Sequence, residues 1–158
     1  MTRSTSPDTG GAQTSDRRCA MAVCAHATLA ELTAGLAAVQ PMPELSVVRA
    51  PELGLVMLRG RMGGDGAPFN AGEATVSRAA VRLASGEMGT GYVLGRSLEK
   101  ARAAAVVDAL AQVAKYRAVL ETALFAPVCE RRLREKATVS AQTAATRVDF
   151  FTVARGED

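Results

Sequence analysis

The chain has 158 residues, 48% hydrophobic and 22% charged, with a formal charge of +3. That length supports one domain with a modest core and leaves too little for a second. Three cysteines, one histidine and no tryptophan exclude a zinc cage, a disulfide framework and an imidazole-centred triad, each of which needs more of these residues.

Lysine occurs only at positions 100, 115 and 136, so the basic residues are mostly arginines. Guanidinium suits anion contacts and buried ion pairs, though high genomic GC content gives the same bias. The net charge falls short of a dedicated nucleic-acid domain. No apolar run approaches the ~20 residues that span a bilayer, and the run Cys19 to Ala25 after Arg17-Arg18 is short for an export leader. Cys19, Cys24 and Cys129 form no CxxC pair, which points to reduced thiols and a cytoplasmic protein.

Residues Met1 to Asp16 are polar and glycine-rich and are expected to be a disordered tail, leaving residues 17–158 as a single domain. Arg17 to Val39 suits two short helices or one broken near His26, with Thr28 and Glu31 matching a capping box. Pro41, Pro43 and Pro51 exclude a continuous helix and leave a connector with one short strand, Ser46 to Arg49.

The glycine-rich region that follows reads as strands. Leu55 to Arg61 alternates, placing Leu55, Met57, Arg59 and Arg61 on one face. Thr75 to Leu83 puts Ala79, Val81 and Leu83 on one face and Val76, Arg78, Ala80 and Arg82 on the other. Ser85-Gly86-Glu87 suits a hairpin turn, with Gly89 to Leu94 returning antiparallel.

From Leu98 the apolar spacing becomes helical, with Ser97 placed to cap and a break expected near Lys115. Pro127 marks an expected boundary before a charged helix, Glu130 to Gln142, in which Glu130 and Arg134 stand at i,i+4. Arg147 to Val153 reads as a terminal strand or partner-binding tail. The order predicts an α+β domain: an antiparallel sheet, N-terminal and central to C-terminal helices, and a C-terminal strand.

The segment Arg61 to Asn70 is the chain's most unusual, because Gly63, Gly64 and Gly66 let backbone N–H groups converge on an anion. It matches neither a Walker loop nor a dinucleotide fingerprint, and the commoner use of such a segment is a flexible hairpin or interface loop. Arg59, Arg61, Arg78, Arg82 and Arg96 would form an electropositive stripe if strand register aligned them. His26, Asp108 and Cys129 each lack a visible partner, so no catalytic or metal-ligating residue is assigned. Phe150 and Phe151, on opposite faces of a strand, suit a core plug or an interaction hot spot. These features alone also fit a free-standing anion- or nucleotide-binding α+β module.

Gly54-Leu-Val, Arg61-Met-Gly-Gly-Asp-Gly, Phe69 through Arg78, Ala80-Val-Arg-Leu, Tyr92-Val-Leu-Gly-Arg96, Asp108-Ala-Leu and Arg147-Val-Asp-Phe-Phe-Thr152 followed by Arg155-Gly carry a resemblance. In order and spacing they resemble the small PhnG-type subunit of the bacterial carbon-phosphorus lyase core complex, from about Val47 to Asp158. The family often has Asp where Ser97 stands and His where Thr90 stands, so no histidine role transfers to position 90.

The resemblance implies a subunit of a cytoplasmic assembly that degrades phosphonates. A phosphonate there displaces adenine from ATP at ribose C1, giving an α-D-ribose 1-phosphonate 5-triphosphate. It implies partners of the PhnH, PhnI and PhnJ types with ATP-binding-cassette-type accessory subunits, and neither nucleic acid nor membrane. ATP is then a substrate of the complex, and an iron-sulfur cluster and S-adenosylmethionine reside on a partner, with no cofactor on this chain. Phe69, Asn70, Phe150 and Phe151 become candidate interface residues, and Arg61, Gly63, Gly64, Gly66 and Arg78 candidate phosphate or anion contacts.

Overall fold

Small residues decide where the layers of this domain meet. The computed structural model describes residues 9–146, with side-chain surroundings from residue 16 onward. Its elements run α1 (Thr9–His26), α2 (Leu29–Ala37), β1 (Leu45–Arg61), β2 (Pro68–Leu83), β3 (Met88–Leu94), α3 (Leu98–Ala111), α4 (Ala114–Leu120), a π-helical segment (Glu121–Phe125) and α5 (Ala126–Ala145). The strands form one antiparallel sheet in the order β1-β2-β3, which gives the α+β class. The anticipated strand at Arg147 to Val153 lies outside the described residues.

Helix α3 lies on one face of the sheet. Ala101, Ala105 and Ala109 recur every four residues and are fully buried, while β3 offers Gly89 and Gly91 opposite them. A Cβ at Gly89 would overlap the Ala105 carbonyl oxygen, and one at Gly91 the Ala101 carbonyl oxygen. Helix backbone thus rests directly on strand backbone. The core continues through Val81, Leu83, Val93, Val107 and Leu110, with Leu32, Leu120, Leu124 and Val128 behind α3.

Local signals fix the joints. The capping box is complete: the Thr28 hydroxyl accepts from the Glu31 N–H and the Glu31 carboxylate accepts from the Thr28 N–H. Ser97 caps α3. The Ser77 hydroxyl donates to the Gly95 carbonyl at 2.8 Å and accepts from the Ser97 N–H at 2.8 Å, which sets the angle at which the chain enters that helix. At the β2–β3 turn the Leu83 N–H donates to the Glu87 carbonyl at 2.9 Å.

Several elements differ from the sequence reading. Residues 9–16, read as part of a tail, belong to α1; the helix continues N-terminally from its packed half, where Ala20 and Cys24 are buried. The connector strand Ser46 to Arg49 and the strand from Leu55 are one 17-residue strand that includes Pro51. Register shifts on either side of Arg49 leave Pro51 out of regular pairing, and β1 is an edge strand where a missing N–H is tolerated. Pro127 starts α5 without breaking the path from α4, because it stands at the first turn, where no donor is needed. Arg134 donates to the Glu130 carbonyl, not its side chain; the i,i+4 ion pair is Arg131–Glu135 at 2.7 Å.

Candidate functional site

The long β1–β2 hairpin carries most of the candidate residues and extends beyond the helices as an arm. At its tip Gly63 and Gly64 adopt φ of +66° and +80°, a left-handed region open to glycine at little cost. The Arg61 guanidinium donates to the Gly66 carbonyl at 3.3 Å across this loop. Arg61, Gly63, Gly64 and Gly66 are therefore gathered at the tip.

Arg78 is not with them. It pairs in register with Glu52, nine residues from Arg61, roughly 30 Å away at about 3.3 Å per residue. Its Nε donates to the Glu52 carboxylate at 2.8 Å. The arginine stripe is also split, because Leu53 pairs with Ser77 and Leu55 with Thr75. This register sends Arg59 and Arg61 to the face shared with Ala79 and Val81, and Arg78 and Arg82 to the opposite one.

Exposed apolar side chains instead stand on both sides of the arm. Leu55 is 64% exposed and Met62, at the tip, 78%. Leu53 and Met57 join Leu55 on one side, and Leu58 and Phe69 are exposed on the other. Asn70 is exposed beside Phe69 and pairs with Arg59. Phe150 and Phe151 lie outside the described residues.

Asp108, which had no partner in the sequence, is fully buried and fully bonded. Its Oδ1 accepts from Arg17 Nε at 2.9 Å, and its Oδ2 accepts from Arg17 Nη2 at 2.7 Å and from the Thr90 N–H at 2.8 Å. Arg17 Nη2 also donates to the Met88 carbonyl at 3.2 Å. The bidentate pair ties α1, α3 and β3 together, and the hydrogen bond to Asp108 raises the Arg17 pKa above its usual value. With no exposed surface and both oxygens engaged, this carboxylate acts as a clamp between the elements. The signal was present in the sequence, since Asp108 follows Ala101, Ala104 and Ala105 on one helical face and a buried carboxylate requires a cation.

A second clamp fixes α5. Arg131 donates to both Glu31 oxygens at 2.7 and 3.0 Å and to the His26 carbonyl at 3.1 Å. The Arg131 guanidinium, with the Thr28 N–H, holds the Glu31 carboxyl down at about 2.

Other groups offer little chemistry. Burial pushes the Cys24 thiol up to about 12, and Cys19 and Cys129 are exposed. Among the described residues no three His, Cys, Asp or Glu side chains lie close enough to hold a metal, and no helix is long and apolar enough to cross a membrane. An open groove of about 460 Å³ between α2 and α3 is lined by Leu29, Leu36, Met42 and Val106, with Glu99 and Arg102 at hand. The arm and its adjoining sheet face carry many of the exposed large hydrophobic side chains.

Comparison with known proteins accords with this picture. The family described as "Phosphonate metabolism protein PhnG" matches residues 15–156. The alpha-D-ribose 1-methylphosphonate 5-triphosphate synthase subunit PhnG of Rhizobium meliloti (strain 1021) is 53% identical over 154 residues, covering 98% of this chain and 96% of that protein.

Proposed function

This chain belongs to the PhnG family of phosphonate metabolism proteins, and on that premise we propose that it is a supporting subunit of a cytoplasmic complex in organophosphonate catabolism. The complex attaches a phosphonate to ribose C1 of ATP and releases adenine. The observation that carries the reading is the near full-length likeness to a relative named as a subunit of such a synthase.

The inventory of side chains supports a supporting role. The most deeply placed carboxylate, Asp108, is consumed by a structural clamp, and the buried thiol of Cys24 is held protonated. On this reading the nucleosidase-like step and the radical cleavage with S-adenosylmethionine and an iron-sulfur cluster belong to partners of the PhnH, PhnI and PhnJ types. ATP-binding-cassette-type subunits are accessory. On this reading the glycine tip, with Arg61, Gly63, Gly64 and Gly66, contacts a triphosphate bound on a partner through its backbone N–H groups, while Arg78 is engaged with Glu52.

The test is co-expression of the affinity-tagged chain with its genomic neighbours, followed by size-exclusion chromatography. A stoichiometric assembly with the other synthase subunits is expected. A chain that elutes alone while those subunits assemble without it overturns the reading.

A further inference from the structure

We propose that the sheet face turned away from α3, continued by the hairpin arm, docks a different protein chain whose contact surface is apolar and bordered by carboxylates. The inference rests on the subunit reading and specifies which surface does the binding.

Register defines this outer face. Val56, Leu58 and Phe69 lie on it along the arm, followed by Val76, Tyr92 and Leu94 at the base. Leu94 is 72% exposed, and Leu58, Phe69 and Tyr92 on this side are exposed as well. Val76 is buried yet stands outside the main core cluster, so it forms the floor of a separate apolar patch. On the half of the arm nearer its base the opposite face is apolar too, through Leu53, Leu55 and Met57, before Arg59 and Arg61 take that face over toward the tip. A two-stranded ribbon has no core of its own and gains stability only by burying its faces against something else.

The outer edge of β1 adds a directional contact. From Leu53 to Leu58 the pairing with β2 is regular and the other edge has no strand partner among the described residues. Between Leu53 and Leu58 the strand carries no charged side chain, so that stretch lacks a common guard against strand addition. A partner strand could therefore pair here while its side chains cover both faces of the arm.

Charge selects the occupant. Arg49, Arg78 and Arg82 share the outer face with one carboxylate, Glu52, which Arg49 and Arg78 both bind. Arg82 has no carboxylate within 4 Å among the described residues. A second copy of this chain would set these guanidiniums against each other, and a nucleic acid would leave the apolar centre wet. Carboxylates around an apolar surface satisfy both features.

The experiment compares wild type, Leu58→Asp/Leu94→Asp and Arg49→Glu/Arg82→Glu, each co-expressed with the other synthase subunits. All four side chains are exposed, so unfolding temperatures of the free variants serve as a folding control. Both doubles are expected to weaken assembly about tenfold or more, the charge pair also flattening its salt dependence. Amides of 53–58 should exchange more slowly in the wild-type assembly than in the free chain. Undiminished assembly of both variants with unchanged exchange overturns the inference while leaving the subunit reading intact. So does self-association of the free chain that Arg49→Glu/Arg82→Glu strengthens, or an assembly that nuclease dissolves. A wild-type chain that captures no synthase subunit defeats the subunit reading, and this inference with it.

Discussion

Gly91→Ala tests the close approach of α3 and β3. The new Cβ would overlap the Ala101 carbonyl oxygen and press on its carbonyl carbon and on the Ala105 nitrogen. These are backbone atoms in mid-helix, so no rotamer change relieves the overlap, and α3 must withdraw by about 1 Å or more from a core packed to native density. Overpacking ordinarily costs about 1–3 kcal/mol, and a backbone obstacle puts this site near 3. Gly91 does not have a positive φ, so alanine also gains about 0.4–1 kcal/mol by restricting the unfolded chain. The net loss is about 2–3 kcal/mol, or roughly 6–9 °C in Tm at this size. Circular dichroism melts and urea titrations of the purified chain measure it. Gly63→Ala is the comparison, with a left-handed φ of +66° but nothing within 4 Å of the added methyl; its cost is about 1–2 kcal/mol. A Gly91→Ala protein as stable as wild type, or more stable than Gly63→Ala, refutes the packing argument.

Three further outcomes follow from the clamps and the core. Asp108→Ala leaves the Thr90 N–H and the Arg17 fork without their acceptor and should destabilise by about 1–3 kcal/mol in urea; Asp108→Asn, which keeps one acceptor oxygen, should lose less. Glu31 is held at about 2, so its contribution is fully present above the ordinary carboxylate range near 4.5 and is lost as pH falls toward 2. Stability measured against pH should therefore drop more steeply over that window in wild type than in Glu31→Gln. Iodoacetamide at neutral pH should label Cys19 and Cys129 but spare Cys24 until the chain unfolds, because the thiol is buried and its pKa is raised to about 12; native-state labelling of Cys24 by mass spectrometry would contradict the core assignment.

What could be read from the sequence was what depends on near neighbours. The Thr28–Glu31 box, the Ser97 cap, the turn at Ser85-Gly86-Glu87 and the burial of Ala79, Val81 and Leu83 all follow from spacings of two to four residues. What depends on pairing was hidden. Pro51 reads as a strand breaker until β1 is known to be an edge with shifted register beside it, and Pro127 reads as a boundary until the π-helical segment before it delivers the chain to the first turn of α5. Arg61 and Arg78 look like one anion site only while the register is unknown. Arg17 and Asp108 are 91 residues apart, and only the helical periodicity that buries Asp108 hinted that such a partner must exist. The alternation of Leu55 to Arg61 was legible, but alternation does not say that apolar side chains on both faces stay exposed.

The central claim is that this chain contributes structure and contacts, while other polypeptides perform the chemistry. Adenine release from ATP and methylphosphonate, followed by chromatography, tests it most directly in three preparations: the chain alone, the other synthase subunits alone, and all together. The account predicts no turnover by the chain alone and full activity only when it joins the others; adenine and the ribosyl product formed by the isolated chain would contradict it.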